Sequence, residues 1–350
     1  MTAPLAPRSP RARPQPCLGA SAETAEHGPW AALYGGALRR CARCGLVATD
    51  CTPGYTYDEQ YFTGRGEGGY AFDSPFARAL DAARFGAELD RLERQGLRGR
   101  LLDIGCATGR FLAHARERGW EIAGVEIADF ARQRAENDLG VSIAPSLEAL
   151  PPRETFDVVT LHHVLEHVHD PLAFLRDVVE RRVERRLLIE VPNFASLASR
   201  THGPRWRDLR PEQHVFHYTP ATLRGLVEWA GLRVVRVYTL WESLWTLRTA
   251  LDTVRLLPGV MRPRNDSRPL AAGPPAAVRD VSGFKPPRGV KRSATALSRL
   301  AFAPLVAALE AGGLGERLVL EAAPVRRPGR GRPLPRRGGK GIEGLRGEIR

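Results

Sequence analysis

Residues 101–111 read LLDIGCATGRF, and this run decides the fold class. Its opening residues form a short apolar strand that stops at Gly105, and Gly109 opens a helix that continues as RFLAHARERG to Gly119. Glycines at those two places supply the positive φ and the close backbone approach that a tight strand-to-helix turn requires. The first turn of the helix points unpaired N–H groups at whatever occupies that turn. Asp103 stands at the strand end, and Glu126 ends the next strand, WEIAGVE, twenty-one residues after Gly105. An acidic side chain at that spacing suits the two hydroxyls of a ribose.

Outward from the turn the pattern alternates. ADFARQRAENDLG is a helix closed by Gly140, VSIA a short strand, FDVVTLH a buried strand, DPLAFLRDVVERRV a helix and RLLIEV a strand stopped by Pro192. TPATLRGLVEWAG follows as a helix with Thr219 as its cap, and LRVVRVYTL as a strand. Upstream, residues 74–96 have helical apolar spacing, with Ser74 as cap, Pro75 at the first position and Gly96 at the end. Continuous Val/Ile/Leu strands alternating with helices predict a parallel sheet covered on both faces.

The ligand of the turn follows from its chemistry. A dinucleotide site would need G-x-G-x-x-G, but counted from Gly105 the second and third places hold Ala107 and Arg110. A carboxylate at the strand end also repels a pyrophosphate. A cationic nucleoside without phosphates fits better, and S-adenosylmethionine has that description.

LLDIGCATGRF, VEIAD, FDVVTLHHVLEHVHDP and LLIEVPN, in this order and spacing over residues 60–240, together resemble the class I S-adenosylmethionine-dependent methyltransferases. The nearest pattern is that of small-molecule methyltransferases of the ubiquinone-biosynthesis type and their bacterial relatives. The resemblance implies an α/β fold with a doubly wound, seven-stranded, mostly parallel sheet. Its antiparallel last strand would be ERLVLEAA, at 316–323, with an insertion before it. The resemblance also implies that Asp103, Gly105, Cys106, Ala107, Gly109 and His162 shape the cofactor pocket, that Glu126 holds the ribose, and that Ile127, Ser146 and Leu147 surround the adenine.

The end of the fourth strand, LHHVLEHVHDP, brings His162, His163, Glu166, His167 and His169 to the edge where open α/β sheets bind ligands. His163 or His167 is expected to take a proton from an acceptor hydroxyl, with Glu166 orienting the imidazole. Quinone-pathway relatives carry E-x-x-E-H here and bind a divalent cation with it. In this chain the first Glu is His163, which favours a softer ion or removes the site. A structural role for the cluster also stands open. RPEQHVFHY, preceded by Trp206, follows the fifth strand, so Trp206, His214 and His217 are expected at the mouth of the pocket as acceptor contacts.

Cys41-x-x-Cys44 is half of a zinc knuckle, with Cys17 as the upstream candidate ligand and Cys51 or His27 as further ones. The chain therefore divides into a disordered arm (1–30), a candidate, degenerate zinc-knuckle module (31–60) and a methyltransferase core (61–240). A helical, Pro/Gly-rich basic insertion (241–315), a last strand (316–325) and a disordered basic tail (326–350) follow.

The formal net charge is +13, but +6 of it lies in 258–295, +7 in 326–350 and +3 in 1–16, which leaves the body near neutral. That distribution argues against a basic nucleic-acid groove on the folded body. The expected partner is a small-molecule acceptor, with weak contact to an acidic membrane surface left to the basic segments and the amphipathic helices of the insertion. No apolar run reaches the roughly eighteen residues of a membrane span, and the N-terminus lacks the apolar core of a secretory signal. The expected location is the cytoplasm.

Overall fold

The computed structural model describes residues 30–36, 38–49, 57–65, 75–241 and 303–325. Residues 1–29 of the expected N-terminal arm, the cap Ser74, the basic tail and residues 242–302 of the insertion, with all but the first residue of its helix at 241–257, lie outside the described residues.

Two sheets organise the chain. The small one contains β1 (Trp30–Leu33), β2 (Leu38–Cys41) and β3 (Val47–Thr49). It is followed by α1 (Glu59–Thr63) and α2 (Pro75–Arg94). The large sheet begins with β4 (Arg100–Ile104), then α3 (Arg110–Glu117), β5 (Glu121–Val125), α4 (Asp129–Leu139), β6 (Phe156–His162), α5 (Pro171–Arg181) and β7 (Val183–Pro192). A loop containing α6 (Leu197–His202) leads to β8 (Phe216–His217), which joins the small sheet. The chain returns through α7 (Pro220–Trp229), β9 (Leu232–Leu240) and β10 (Arg317–Pro324).

The helices start where local chemistry satisfies their first N–H groups. Asp170 accepts from the Ala173 amide ahead of Pro171 in α5, and Thr219 and Thr222 form a reciprocal cap ahead of Pro220 in α7. Each such cap stabilises its helix by about 1 kcal/mol.

The large sheet has the order β5-β4-β6-β7-β10-β9. β4 runs parallel to β5 and β6, and β6 parallel to β7, while β10 lies antiparallel between β7 and β9. The late strand thus takes the antiparallel place expected for it. Strand count is the correction: among the described residues the sheet has six strands, not seven. The segment VSIA forms a single bridge, Val125 to Ala144. Only four residues separate the left-handed Gly140 that closes α4 from Pro145, which has no N–H to donate. A ladder has no room to grow there.

Alternate residues of each central strand enter opposite layers. Leu102, Ile104, Val159, Leu161, Leu187 and Ile189 pack with Leu175 of α5 and Leu226 of α7. Leu101, Val158, Leu188 and Val319 pack on the other face with Leu89 of α2, Phe111 and Leu112 of α3 and Leu139 of α4. The sheet is therefore doubly wound. Its strand order reverses between β4 and β6, and their carboxyl ends open a crevice at that point. Among the described residues no helix is long and apolar enough to cross a membrane.

Candidate active site

The carboxyl ends of β4, β5 and β6 surround a cavity of about 570 Å³. The turn that links β4 to α3 is its floor. Gly105 and Gly109 adopt φ of 74° and 77°, and Ala107 joins them in the left-handed region at 48°. Two amides of the turn, on Gly105 and Cys106, both donate to the Val125 carbonyl. Burial pushes the Cys106 thiol up, so it stays protonated and acts as a small apolar residue.

Two carboxylates flank this turn. Asp103 is 2 % exposed and accepts from Thr160 Oγ1 at 2.7 Å. Glu126, 6 % exposed, accepts the Ala107 and Ala128 amides at 2.8 Å each. Burial raises the Glu126 carboxyl, and those two amides work against the rise. Ile127 is exposed on the cavity rim next to Ser146 and Leu147. The expected cofactor residues are thus brought to one floor and rim except Gly109, which is not among the cavity walls and where a side chain would meet Leu139 and Ala135 of α4.

His162 sits behind Asp103. Its Nδ1 is 3.2 Å from Asp103 Oδ1 and its Nε2 2.9 Å from Glu88 Oε1 of α2. Burial would lower the His162 pKa, but the two carboxylates overcome it and hold the value at about 10. This residue is a buried imidazolium between two acids.

His163 differs from expectation in a similar way. It has φ 54°, a sparsely populated conformation for a non-glycine residue. Its Nδ1 is 3.2 Å from Glu166 Oε1, its Nε2 is 3.1 Å from Glu190 Oε1, and its amide donates to the Glu190 carbonyl. Both ring nitrogens therefore face carboxylates, and neither is turned toward an acceptor hydroxyl. Glu190, fully buried, also meets Arg84 at 2.6 Å and Arg317 at 3.5 Å. Burial would raise its carboxyl, but these cations hold it well below the ordinary range.

Glu166, His167 and His214, which also line the cavity, come together with one ligand atom of each within 4.8 Å of the other two. The His214 pKa is pushed well below its ordinary value by burial, and the neighbouring His167, His217 and Arg210 add to this. Tyr57 and Tyr61, around and within α1, close the cavity from above. Tyr57 Oη lies 3.1 Å from His167 Nδ1, and the Tyr61 hydroxyl bonds Arg210. Tyr57 and Tyr61, together with Phe62 of α1, pack on Ala107, Ala128 and Ala131, so this segment rests on the turn itself.

Trp206 and His217 are not among the cavity walls. Trp206 packs with Leu38, Val47 and Ala198. His217 pairs across β8 to Val47 and its Nε2 lies 2.7 Å from Thr49 Oγ1. Pairing of β8 with β3 draws both residues under the small sheet, away from the pocket. Cys41 and Cys44 flank the turn after β2 as thiols, Cys41 buried and Cys44 half-buried. Cys17, His27 and Cys51 lie outside the described residues.

Sequence reasoning missed Tyr57, Tyr61, Glu88, Arg84 and Glu190, and named Arg210 only beside Trp206 at the start of the RPEQHVFHY run. Only Tyr57 and Tyr61 left a trace, a pair of aromatic residues at i, i+4 spacing.

Residues 76–237 match the family described as "Methyltransferase domain". A ubiquinone biosynthesis O-methyltransferase of Cereibacter sphaeroides is 32% identical over 204 residues, covering 52% of this chain and 81% of that protein. Another, from Ruegeria pomeroyi, is 41% identical over 85 residues, 22% of this chain and 34% of that protein. A solved S-adenosylmethionine-dependent methyltransferase from Archaeoglobus fulgidus overlaps 71% of this chain and all of its own length, at 21% identity and a TM-score of 0.41. The family match, the relative aligned over most of its length and the turn between two strand-end carboxylates agree: this chain belongs to the class I S-adenosylmethionine-dependent methyltransferases.

Proposed function

We propose that this enzyme methylates a hydroxyl of a small-molecule acceptor. One observation carries the reading: Asp103 and Glu126, both buried, bracket a left-handed glycine turn on the same cavity that Glu166, His167 and His214 also line. A cationic sulfur nucleoside fits the first half. Glu126 takes the ribose hydroxyls, Asp103 faces the amino-acid end, Gly105, Cys106 and Ala107 form the bed while Gly109 lets the turn pack on α4, and Ile127, Ser146 and Leu147 border the adenine. His162 acts behind Asp103 and fixes its orientation.

The second half suits a flat or partly apolar acceptor held among Tyr57, Tyr61, Phe174 and His214. The acceptor oxygen attacks the methyl carbon in line and forms the O–CH₃ bond. The C–S bond breaks with its electron pair going to sulfur, which leaves a neutral thioether. The hydroxyl proton departs toward the Glu166, His167 and His214 cluster. Most of the acceleration in such a displacement comes from holding nucleophile and methyl carbon in contact. The curated relatives are named as O-methyltransferases of ubiquinone biosynthesis, which supports oxygen as the target.

The test is calorimetric titration with S-adenosylhomocysteine, repeated on Asp103→Asn and Glu126→Gln, followed by a screen of hydroxylated small molecules with labelled methyl donor. Saturable binding that both variants weaken, plus a methyl ether among the products, is the expected result. Binding unaffected by either substitution, or methylation confined to RNA or protein, would overturn the reading.

A further inference from the structure

Glu88 interrupts the buried face of α2. Phe85, Leu89 and Leu92 make that face apolar, and helical spacing puts Glu88 in the same stripe, where it is 3 % exposed. A buried glutamate is costly unless paired, and an apolar residue would serve the packing as well. The carboxylate instead reaches His162 of β6, with Oε1 2.9 Å from Nε2. The other ring nitrogen, Nδ1, lies 3.2 Å from Oδ1 of Asp103 at the end of β4. We infer that Glu88 is a positioning residue for the methyl donor: through His162 it anchors Asp103 Oδ1, so that Oδ2 is presented to the ammonium group of the cofactor. This rests on the donor reading above, in which Asp103 faces the amino-acid end.

The contacts fall in an order that gives each residue one task. Asp103 and His162 line the cavity, whereas Glu88 is not among its walls, so Glu88 reaches a ligand only through the ring. With a carboxylate oxygen at each nitrogen the ring donates from both. A neutral imidazole carries a single N–H and would turn a lone pair toward one of the two acids. The rings of Phe85 and Phe111 flank the imidazole at centroid distances of 6.0 Å and 4.7 Å and hold it between them.

Asp103 Oδ1 accepts from a second donor, Thr160 Oγ1, at 2.7 Å. The terminal torsion of an aspartate is broad and roughly two-fold by itself, so two donors on one oxygen select one orientation of the carboxylate. A group ordered before its ligand arrives binds more tightly, because the ordering cost is removed from the binding step. Glu88→Gln keeps the shape and removes the charge. The amide oxygen still accepts from Nε2–H, but nothing then favours the second ring proton. Nδ1 turns a lone pair toward Asp103 Oδ1, and the carboxylate loses one of its two anchors. Ribose and adenine are left to Glu126, Ile127, Ser146 and Leu147, so the loss is confined to the amino-acid end.

The test compares two ligands on the full chain by calorimetry. S-Adenosylhomocysteine has the amino-acid end, and methylthioadenosine keeps the nucleoside and the thioether without it. Expected in Glu88→Gln is a loss of at least about 10-fold for S-adenosylhomocysteine with methylthioadenosine within about twofold, and the same pattern in Asp103→Asn. Because Glu88 acts through the ring, adding Glu88→Gln to His162→Gln should change S-adenosylhomocysteine affinity by less than about twofold. Where Glu88→Gln does not fold, this double variant, with an amide pair in place of the ionic one, is read with the same two ligands and should show the same selective loss. Equal loss of both ligands would mark Glu88 as a packing residue and overturn the inference, as would losses that multiply in the double variant. Unchanged binding in Glu88→Gln, with S-adenosylhomocysteine alone weakened in Asp103→Asn, would overturn the inference and leave the donor reading standing. Unchanged S-adenosylhomocysteine binding in Asp103→Asn would overturn both.

Discussion

Glu126 and Ala107 are joined by a 2.8 Å hydrogen bond from the Ala107 amide to the Glu126 carboxylate. The acid at the end of β5 therefore fixes the turn at the end of β4, and the second oxygen does the same for the start of α4 through the Ala128 amide. Glu126→Gln keeps the shape but sets an NH₂ group against one of these two donors. Hydrogen bonds to a charged group contribute about 1.5–3 kcal/mol. The variant should lose stability on that order, and its affinity for S-adenosylhomocysteine should fall roughly 10- to 100-fold. Calorimetry and thermal melting check both, and an unchanged affinity would remove Glu126 from the ribose side.

Arg182 plays a comparable part on the adenine side. It is 2 % exposed and donates to the carbonyls of Leu147, Leu150, Pro151 and Glu154. One guanidinium thus holds the whole 147–154 loop, including the residue proposed to face the adenine. Arg182→Lys keeps the charge but loses the planar fork, and a single ammonium cannot reach four carbonyls. A loss of about 2–4 kcal/mol is expected. Faster amide hydrogen exchange over 146–154 and a raised KM for the methyl donor at nearly constant kcat should accompany it. Exchange left unaltered there would show that the loop stands without Arg182.

Much of this arrangement was legible in the sequence, for reasons that differ between elements. β4, its glycine turn and Glu126 were readable because strand, positive-φ turn and helix follow one another within a few residues. The late strand was placed through the family resemblance, whose sheet ends in an antiparallel strand, and the apolar run at 316–323 fills that place. VSIA misled because an apolar run says nothing of its neighbours, and Gly140 and Pro145 cut it to one bridge. The small sheet was missed although Gly35-Gly36 and Gly45 marked its turns, because its strands are three or four residues long and β8 arrives from residue 216. That long-range pairing also explains why Trp206 and His217 left the pocket. Glu190 and Glu88 could not be found, since each acts through a histidine that only the folded sheet brings near.

The histidines predict how stability varies with pH. His162 is raised to about 10 in the folded protein from an ordinary 6.5. A raised folded pKa contributes stability that is complete below pH 6.5 and is lost as pH climbs toward 10. His217 is lowered to about 3 by burial, so the sign reverses: its contribution is complete above the ordinary 6.5 and is lost as pH falls toward 3. Melting temperature should therefore decline on both sides of neutrality. His162→Gln should flatten the alkaline limb and His217→Gln the acid limb. A variant that lowers the melting temperature equally at every pH would show that its histidine does not titrate as argued.

Gly105 tests the turn without touching a charge. Its φ of 74° is one that a side chain adopts at a cost of about 1–2 kcal/mol. A Cβ placed there would also stand 2.5 Å from Val164 Cγ2, the residue that follows His163. Gly105→Ala should thus combine backbone strain with a clash, and destabilise by about 2–4 kcal/mol. The two parts separate in a double variant. Val164→Ala removes the colliding methyl groups, so Gly105→Ala should cost less in that background, with only the backbone part remaining. If Gly105→Ala costs the same with and without Val164, the clash is absent and the turn is held by its φ alone. If it costs nothing in either, the left-handed turn at the end of β4 is not the bed on which the cofactor reading depends.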